Sequence, residues 1–487
     1  MFLKNQNILG DSYLEASQIE KSPTIDDINL QDVGEKSSAI EVLRNAPFML
    51  LFAAQFTQNV GAAVSWLALQ FLIFHLTGSP GLMGLLSIIF WLPYVLFTPL
   101  AGVYTDRFDQ RKIMLLANLI SFFASFGFII IYLLKDILTI DVIITIVDSG
   151  KTTITHSLNY IHVLWPLYIL TFINSTAASF FFPARSAYTR LIVQKKNLLV
   201  ANSIGTTVFQ IATIVGYVLA GVLAARSYLW SFIFDASTFA FSFTMVLLII
   251  IVGQKPPDVV RPPEETFRTQ VKGIFEDISI GFRTIRDTPK VSYMLIIFAS
   301  AIFSYSSFSV LFIVVLNEEM GLNETWYGIM QAIMGISGII TALILMSIGK
   351  IKRKILMLNF ALAGLSIVLM FFAFIRNIWV MGVILFLFGI GLVMINIPAP
   401  TLIQEQIPYE KQGRVFGTQQ LIQGAARLLG MGIVSLIAEI VLPMYIFIVA
   451  ASILGIIIIW GFIYSSKKGI SGTDYLANGE AKISYSE

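Results

Sequence analysis

Twelve stretches of this chain stay apolar for about twenty residues or more, and no other feature restricts its fold as tightly. Each has the length that an α-helix needs to cross the roughly 30 Å hydrocarbon core of a bilayer. Their approximate bounds are 48–76, 81–104, 113–134, 162–182, 200–224, 229–251, 291–315, 325–348, 354–375, 379–399, 414–438 and 441–464. Composition agrees, since 56% of the 487 residues are hydrophobic and only 13% are charged, against about a quarter charged in soluble domains. Backbone amides inside a bilayer find no water, so each run must satisfy its own hydrogen bonds as a helix. The expected fold class is an all-α membrane protein with twelve transmembrane helices.

The placement of Lys and Arg tests that count. Twelve crossings leave both termini on one side, and the cations gather there. Arg107, Arg111 and Lys112 lie between spans 2 and 3, Arg185, Arg190, Lys195 and Lys196 between spans 4 and 5, and Lys350, Lys352, Arg353 and Lys354 between spans 8 and 9. Lys135, Lys151, Arg226 and Arg376 fall on the other side. Short loops rich in Lys and Arg stay inside the cell, so both termini are expected in the cytoplasm and the protein in the cell membrane. Residues 1–45 carry Asp11, Glu15, Glu20, Asp26, Asp27 and Glu35 and no apolar h-region, which predicts a cytoplasmic tail and no cleavable signal peptide.

The two halves of the chain resemble each other. Pro183, Val193 and Asn202 keep the intervals of Pro398, Pro408 and Gly417, and Gly84 and Asp106 keep the interval of Gly328 and Lys350. The two offsets differ because the loop from about 135 to 161 is long and its counterpart near 376 is short. A parallel repeat of six spans predicts two six-helix bundles, 46–251 and 291–465, with a second tail at 466–487. Between the bundles, 252–290 opens on Pro256, Pro257, Pro262 and Pro263. It continues with Phe267, Val271, Ile274, Phe275, Ile278, Phe282 and Ile285 at helical spacing, which predicts an amphipathic linker helix on the cytoplasmic face.

Several chemistries are absent from the pattern. The chain has no cysteine, which excludes disulfides and thiol-based metal or redox sites. Its three histidines, His75, His156 and His162, form no HxxxH pair and no nucleophile triad, so no enzyme is expected. Asp148 to Thr153 imitates the end of a phosphate-binding loop, but Thr145 stands where that motif needs its first glycine. No cofactor, metal or nucleic-acid partner is expected.

Gly102, Asp106, Arg107, Arg111 and Lys112 resemble the loop between helices 2 and 3 of the major facilitator superfamily. The resemblance implies that Asp106 sits against the N-terminal end of span 11 while a loop cation holds the neighbouring carboxylate, a contact made and broken as the transporter switches. A helix N-terminus carries about half a positive charge, which gives that contact a physical basis. One branch, containing macrolide efflux proteins and enterobactin exporters, is similar in further places: Leu76 to Ser79, Leu92-Pro93, Ile113 to Leu115, Phe182 to Ala184 with Ala201 to Ser203, and Gly413 to Gly417. This chain departs from that branch at Ala62 and Asn118, where members often carry acids, and at Tyr217, which replaces the proline of the antiporter-type segment Gly216 to Gly221.

Ionisable side chains within a bilayer cost roughly 2.5 to 3.5 kcal/mol each on insertion scales, so each one present calls for a role. Gln420, Gln423 and Arg427 share a face of span 11, aiming a cation and two amides at mid-membrane, where they suit an anionic or polar substrate group or a structural pairing. Asp235 in span 6 is the candidate for proton coupling, with a hydrogen-bonded structural Asp as the alternative. Gln55, Asn59 and Trp66 in span 1, Asn174 in span 4, Thr206 in span 5 and Ser304 in span 7 complete the candidate substrate-binding set. The resemblance puts spans 1, 4, 7 and 10 along the substrate path. The expected function is proton-coupled efflux of an amphiphilic small molecule, such as a drug, macrolide or siderophore-like metabolite, by alternating access in a monomer. A lipid or lysolipid flippase, an importer, and a non-transporting sensor or scaffold are the alternatives.

Overall fold

All twelve spans are helices in the computed structural model, which describes residues 39–138, 143–146, 154–157, 161–252, 267–348 and 353–467. Spans 1 to 6 are Ala46–Thr77, Pro80–Thr105, Gln110–Leu138, His162–Ile192, Lys195–Arg226 and Tyr228–Val252. Spans 7 to 12 are Pro289–Glu319, Glu324–Ile348, Lys354–Phe374, Ile378–Gln406, Tyr409–Ile437 and Pro443–Ser465. The chain is a multi-pass membrane protein, all-α across the bilayer. Between spans 3 and 4, a hairpin of β1 (Ile143–Ile146) and β2 (Ile154–Ser157) pairs antiparallel, which the apolar pattern does not foretell. Expectations for residues 1–38, Asp148 to Thr153, Pro256 to Pro263, Lys350 and 468–487 fall outside the described residues.

Helix ends correct two boundaries. Span 4 continues past the expected end at 182 and holds Pro183 within one unbroken helix to Ile192, so Arg185 belongs to the span and not to a loop. Its counterpart, Pro398, divides span 10 into Ile378–Asn396 and Pro398–Gln406. Proline lacks an N–H and crowds the carbonyl one turn back, so a break at that position is the ordinary outcome. Span 11 begins at Tyr409, immediately after Pro408, earlier than the apolar run suggests.

The repeat read from the sequence is a repeat in space. Within the first half, span 1 packs on spans 5 and 6, span 3 on spans 4 and 6, and span 2 on span 4. Six spans later the same set recurs, with span 7 on spans 11 and 12, span 9 on spans 10 and 12, and span 8 on span 10. The halves meet chiefly through span 2 against span 11 and span 5 against span 8, which are images of each other.

Regularly spaced polar pairs stitch span 3 to span 6 and to the residue just before it. Asn118 Nδ2 donates to Ser242 Oγ at 2.9 Å, Ser125 Oγ to Asp235 Oδ2 at 2.6 Å, and Tyr132 Oη lies 3.4 Å from Ser227 Oγ. Positions seven apart return to one face of a helix, so the two antiparallel helices match two such rungs, and Tyr132, seven residues beyond Ser125, meets Ser227 one residue before span 6 begins. Ion pairs hold the span ends: Lys354 Nζ reaches both Glu405 oxygens at 3.0 and 2.9 Å, and Arg376 pairs with Glu319. The helix Phe267–Asp287 lies under span 11, tied by Arg414 to Asp277 at 2.7 Å and by Gly281, whose missing Cβ admits Thr418.

Where the halves meet, two glycines let backbones approach. A Cβ on Gly84 would stand 1.7 Å from Ser435 Oγ, and one on Gly328 would stand 2.4 Å from the Tyr217 carbonyl oxygen. These are the glycines that the repeat aligns. Small residues at such crossings are the main source of helix adhesion in lipid, where apolar burial contributes little. Gly84→Val or Gly328→Val should overpack a crossing by about 1–3 kcal/mol, shifting the balance of conformers by about 5- to 150-fold toward separation of the halves at that end. Because the chain has no cysteine, pairs of engineered cysteines carrying spin labels there can report the distance; no lengthening in either variant would contradict this account.

Asp109 caps span 3 by accepting the Arg111 N–H at 2.9 Å, and its carboxylate holds the Arg111 guanidinium at 3.1 and 2.9 Å. Partial burial pushes the Asp109 carboxyl up, but the Arg111 hydrogen bonds and the charges of Arg111 and Lys112 prevail and hold it below the usual carboxylate range. A carboxylate depressed on folding contributes stability at neutral pH and loses it as the pH falls through the folded value. Asp109→Ala should therefore cost about 1 kcal/mol at neutral pH. Asp109→Asn should keep most of the cap while losing this part of the acid sensitivity, as read from thermal unfolding across an acid pH series.

Candidate transport site

The two ends of the molecule differ. At the end opposite the basic loops, spans from different halves are bonded together. Glu439, just past span 11, accepts the Ser79 hydroxyl and the Gly81 N–H at 2.9 Å, capping span 2 across the interface. On the other side of the pseudo-axis, Tyr228 Oη donates to Glu324 Oε1 at 2.7 Å and contacts His75 Nδ1, joining spans 1, 6 and 8. Gly221 of the antiporter-like segment lies against Glu324 and Thr325 at the same level, and Gly216 lies against Val60 and Ala63 of span 1. This end is shut.

At the basic end the same interface stands apart. A Cβ added to Gly102 in span 2, Gly205 in span 5, or Gly413 and Gly417 in span 11 would meet nothing within 4 Å among the described residues. Asn202, Ser203, Thr206, Thr207 and Gln210 along span 5, and Gln420 in span 11, are exposed. Amides and hydroxyls at that depth belong against water, not lipid. They mark an opening between the halves that narrows toward the shut end.

Deep in the opening stands an aromatic shelf. Trp66 of span 1 meets Phe90 of span 2 with ring centroids 4.4 Å apart, and Phe90, Trp91 and Tyr94 follow one another at 5.4 to 5.7 Å. The Arg427 guanidinium of span 11 lies 3.9 Å from the Trp91 ring centroid, so a cation–π contact bridges the two halves. Its carbonyl accepts from Ser306 Oγ at 3.3 Å, and Tyr305 of span 7 is its phenolic neighbour. At 1.5 Å per residue Arg427 is about 15 Å from the shut end of span 11, near mid-bilayer.

The other candidates divide. Asn59, Trp66, Asn174 and Gln423 are half-buried, and Thr206 and Gln420 are exposed. Gln55 is turned into the packing of spans 1 and 5, donating to the Gly205 carbonyl at 3.3 Å, and Ser304 into that of spans 7 and 12, donating to the Ala450 carbonyl at 3.4 Å. Both are buried, because a polar stripe on a membrane helix serves adhesion as readily as lining. Asp235 is fully buried between spans 1, 3 and 6, where the bare Gly61 leaves it room. Of the loop residues, Arg111 is occupied by Asp109, Gly102 faces open space, and the Asp106 side chain lies outside the described residues. Trp91, Tyr94, Tyr305, Arg185 and the His75–Tyr228–Glu324 cluster escape sequence reasoning. Only chain reversals bring them together, and a lone aromatic in an apolar run carries no signal of its own.

Comparison with known proteins agrees with this architecture. A transporter of Bacillus subtilis (strain 168) described as an uncharacterized MFS-type transporter, YfiS, is 25% identical over 399 residues, which are 80% of this chain and 86% of that one. Macrolide efflux protein A of Streptococcus pyogenes is 22% identical over 400 residues, 80% of this chain and 89% of its own. A solved structure of a bacterial homologue of the iron transporter ferroportin in its inward-facing state superposes with a TM-score of 0.65 at 16% identity, over 85% of this chain and 98% of that one, a likeness of fold. The sequence profile of the Major Facilitator Superfamily matches residues 51–431, from within span 1 to within span 11. Matched over that length, and with its packing repeated half a chain apart, the chain belongs to the Major Facilitator Superfamily of transporters.

Proposed function

We propose that this transporter exports an amphiphilic small molecule across the plasma membrane by alternating access, driven by protons. The observation that carries the proposal is the asymmetry of one symmetric interface: spans 2 and 11 and spans 5 and 8 touch at one end and part at the other. With Lys and Arg inside, the open end faces the cytoplasm, ready to load cargo for export. Non-covalent contacts make up the seal, so rocking the bundles can exchange it for one at the other end. A turn built from Gly102, Asp106, Arg107, Arg111 and Lys112 suits that second seal, with Asp106 against the N-terminus of span 11.

Cargo would enter between Asn59, Trp66, Asn174, Thr206, Gln420, Gln423 and Arg427, with an amphiphile's apolar body on the aromatic shelf. Asp235 is the candidate proton carrier. The Ser125 hydroxyl donates to its Oδ2, and no cation is bonded to it among the described residues, so it can exchange a proton without breaking an ion pair. It stands two helical turns from Tyr228 on the same face of span 6, which links it to the shut end. The polar ladder favours a second reading, in which Asp235 only fastens span 6 to span 3.

Proteoliposomes decide between these. An imposed proton gradient should drive flux of compounds from a broad amphiphile panel, and Asp235→Asn, which preserves the shape of the rung, should abolish the acceleration while leaving thermal stability within about 1 kcal/mol. Retained gradient-driven flux in that variant would assign Asp235 to structure alone, and no driven flux of any compound would remove proton-coupled export. Asp106→Asn should shift the populations of the two open states in spin-label distances; an unchanged distribution would leave the turn without a gating role.

A further inference from the structure

Within the opening, positive charge meets no counter-ion among the described residues. The Arg427 guanidinium spends its face on Trp91, which leaves its in-plane N–H groups free to form the paired hydrogen bonds that a carboxylate, phosphate or sulfonate accepts. No acceptor or carboxylate among the described residues meets those groups, and the side chain is half-buried on the wall of an open cleft. A second arginine repeats the arrangement nearer the mouth. Arg185 stacks on Phe182 at 4.7 Å, shares a face of span 4 with Asn174, and again meets no carboxylate among the described residues.

Negative charge is distributed the opposite way. Asp235 is the described carboxylate at this depth, and it is fully buried inside the first bundle. Glu318, Glu319, Glu324, Glu405 and Glu439 sit at span ends. Within the opening a cationic amphiphile would meet like charge and, among the described residues, no exposed carboxylate deeper than Glu410 at the start of span 11. An anionic one would supply what Arg427 lacks and exchange its lost hydration for charge-assisted hydrogen bonds.

We infer that the site selects an anionic amphiphile, its headgroup seated on the edge of Arg427, its apolar body on Trp66, Phe90 and Tyr94, and Arg185 drawing the anion inward from the mouth. The inference rests on the transporter reading but is independent of flux direction and of the energy source. The headgroup could belong to a soluble organic anion or to a lysolipid, which present the same chemistry to Arg427.

The test is equilibrium binding to the full chain in phosphatidylcholine nanodiscs, with no gradient, using two dansyl probes of equal tail length that end in a carboxylate or a quaternary ammonium. Energy transfer from Trp91, taken as the difference from W91F, localises the signal. The carboxylate probe should bind about tenfold or more tightly than the ammonium probe. R427Q should lose about tenfold or more of carboxylate affinity, R427K should retain part of it, and R185Q should lose less, with ammonium binding unchanged or improved. Displacement by a soluble naphthoate alone assigns the anion to a soluble cargo, displacement by lysophosphatidylglycerol alone assigns it to a lipid, and displacement by neither overturns the inference. So does an ammonium probe that binds as tightly as the carboxylate, a comparison that stands on the wild-type chain even if R427Q does not fold. Binding is read without a gradient, so failure of driven flux and failure of anion selection are separate results.

Discussion

The two halves of this molecule adhere through a small set of backbone approaches, with Gly84 against Ser435 and Gly328 against Tyr217 at their centre. Hydrocarbon surrounds the helices on their outer faces, so there is little gain in hiding apolar side chains from it. What remains is short-range dispersion, which decays within a fraction of an ångström of lost contact, and a handful of hydrogen bonds. An interface of that kind is either made or broken, with little between. Two copies of it related by a pseudo-axis give the bundles something to pivot on, and the opening at the basic end is the direct geometric result.

Polar side chains in the membrane fall into two populations with opposite consequences. Inside the first bundle, the rungs formed by Asn118, Ser125 and Tyr132 with Ser242, Asp235 and Ser227 are paired. In low dielectric, paired polar groups resist separation, so they make the bundle a rigid body. Between the bundles, Thr206, Gln420 and Arg427 face the opening, and the aromatic rings beneath them give an apolar body a surface to rest on. Rigid halves and an adaptable space between them are what a transporter needs, and both come from whether a polar side chain found a partner across its own helix pair.

Much of this was legible beforehand. Helix number follows from run length, and duplication from the spacing of Gly84, Pro183, Gly328 and Pro398. The candidate site was legible only in part. Spacing along one helix groups Gln420, Gln423 and Arg427 on one face, but it does not distinguish Ser304 and Gln55, which turn into packing, from Asn59 and Thr206. The face of a helix is readable from periodicity, whereas its neighbour is not. Arg185 lies beyond the apolar run that ends near 182, so the pattern puts it in a loop, whereas the helix continues through Pro183 to Ile192. Glu439, just past the end of span 11, caps the start of span 2, more than half the chain away, a pairing that no spacing along one helix encodes.

The sequence alone settled what hydrocarbon demands of any chain: twelve self-satisfied helices, because an unpaired amide in lipid costs too much to keep. It also settled that the second half repeats the first, since equal patterns of length and small residues fold alike. Only the tertiary structure decided which end of the shared interface is closed, and which charged groups are answered and which are left facing the opening. Those outcomes depend on distances between helices far apart in the chain, and a one-dimensional pattern contains no information on whether Arg427 will meet an aspartate or the face of Trp91.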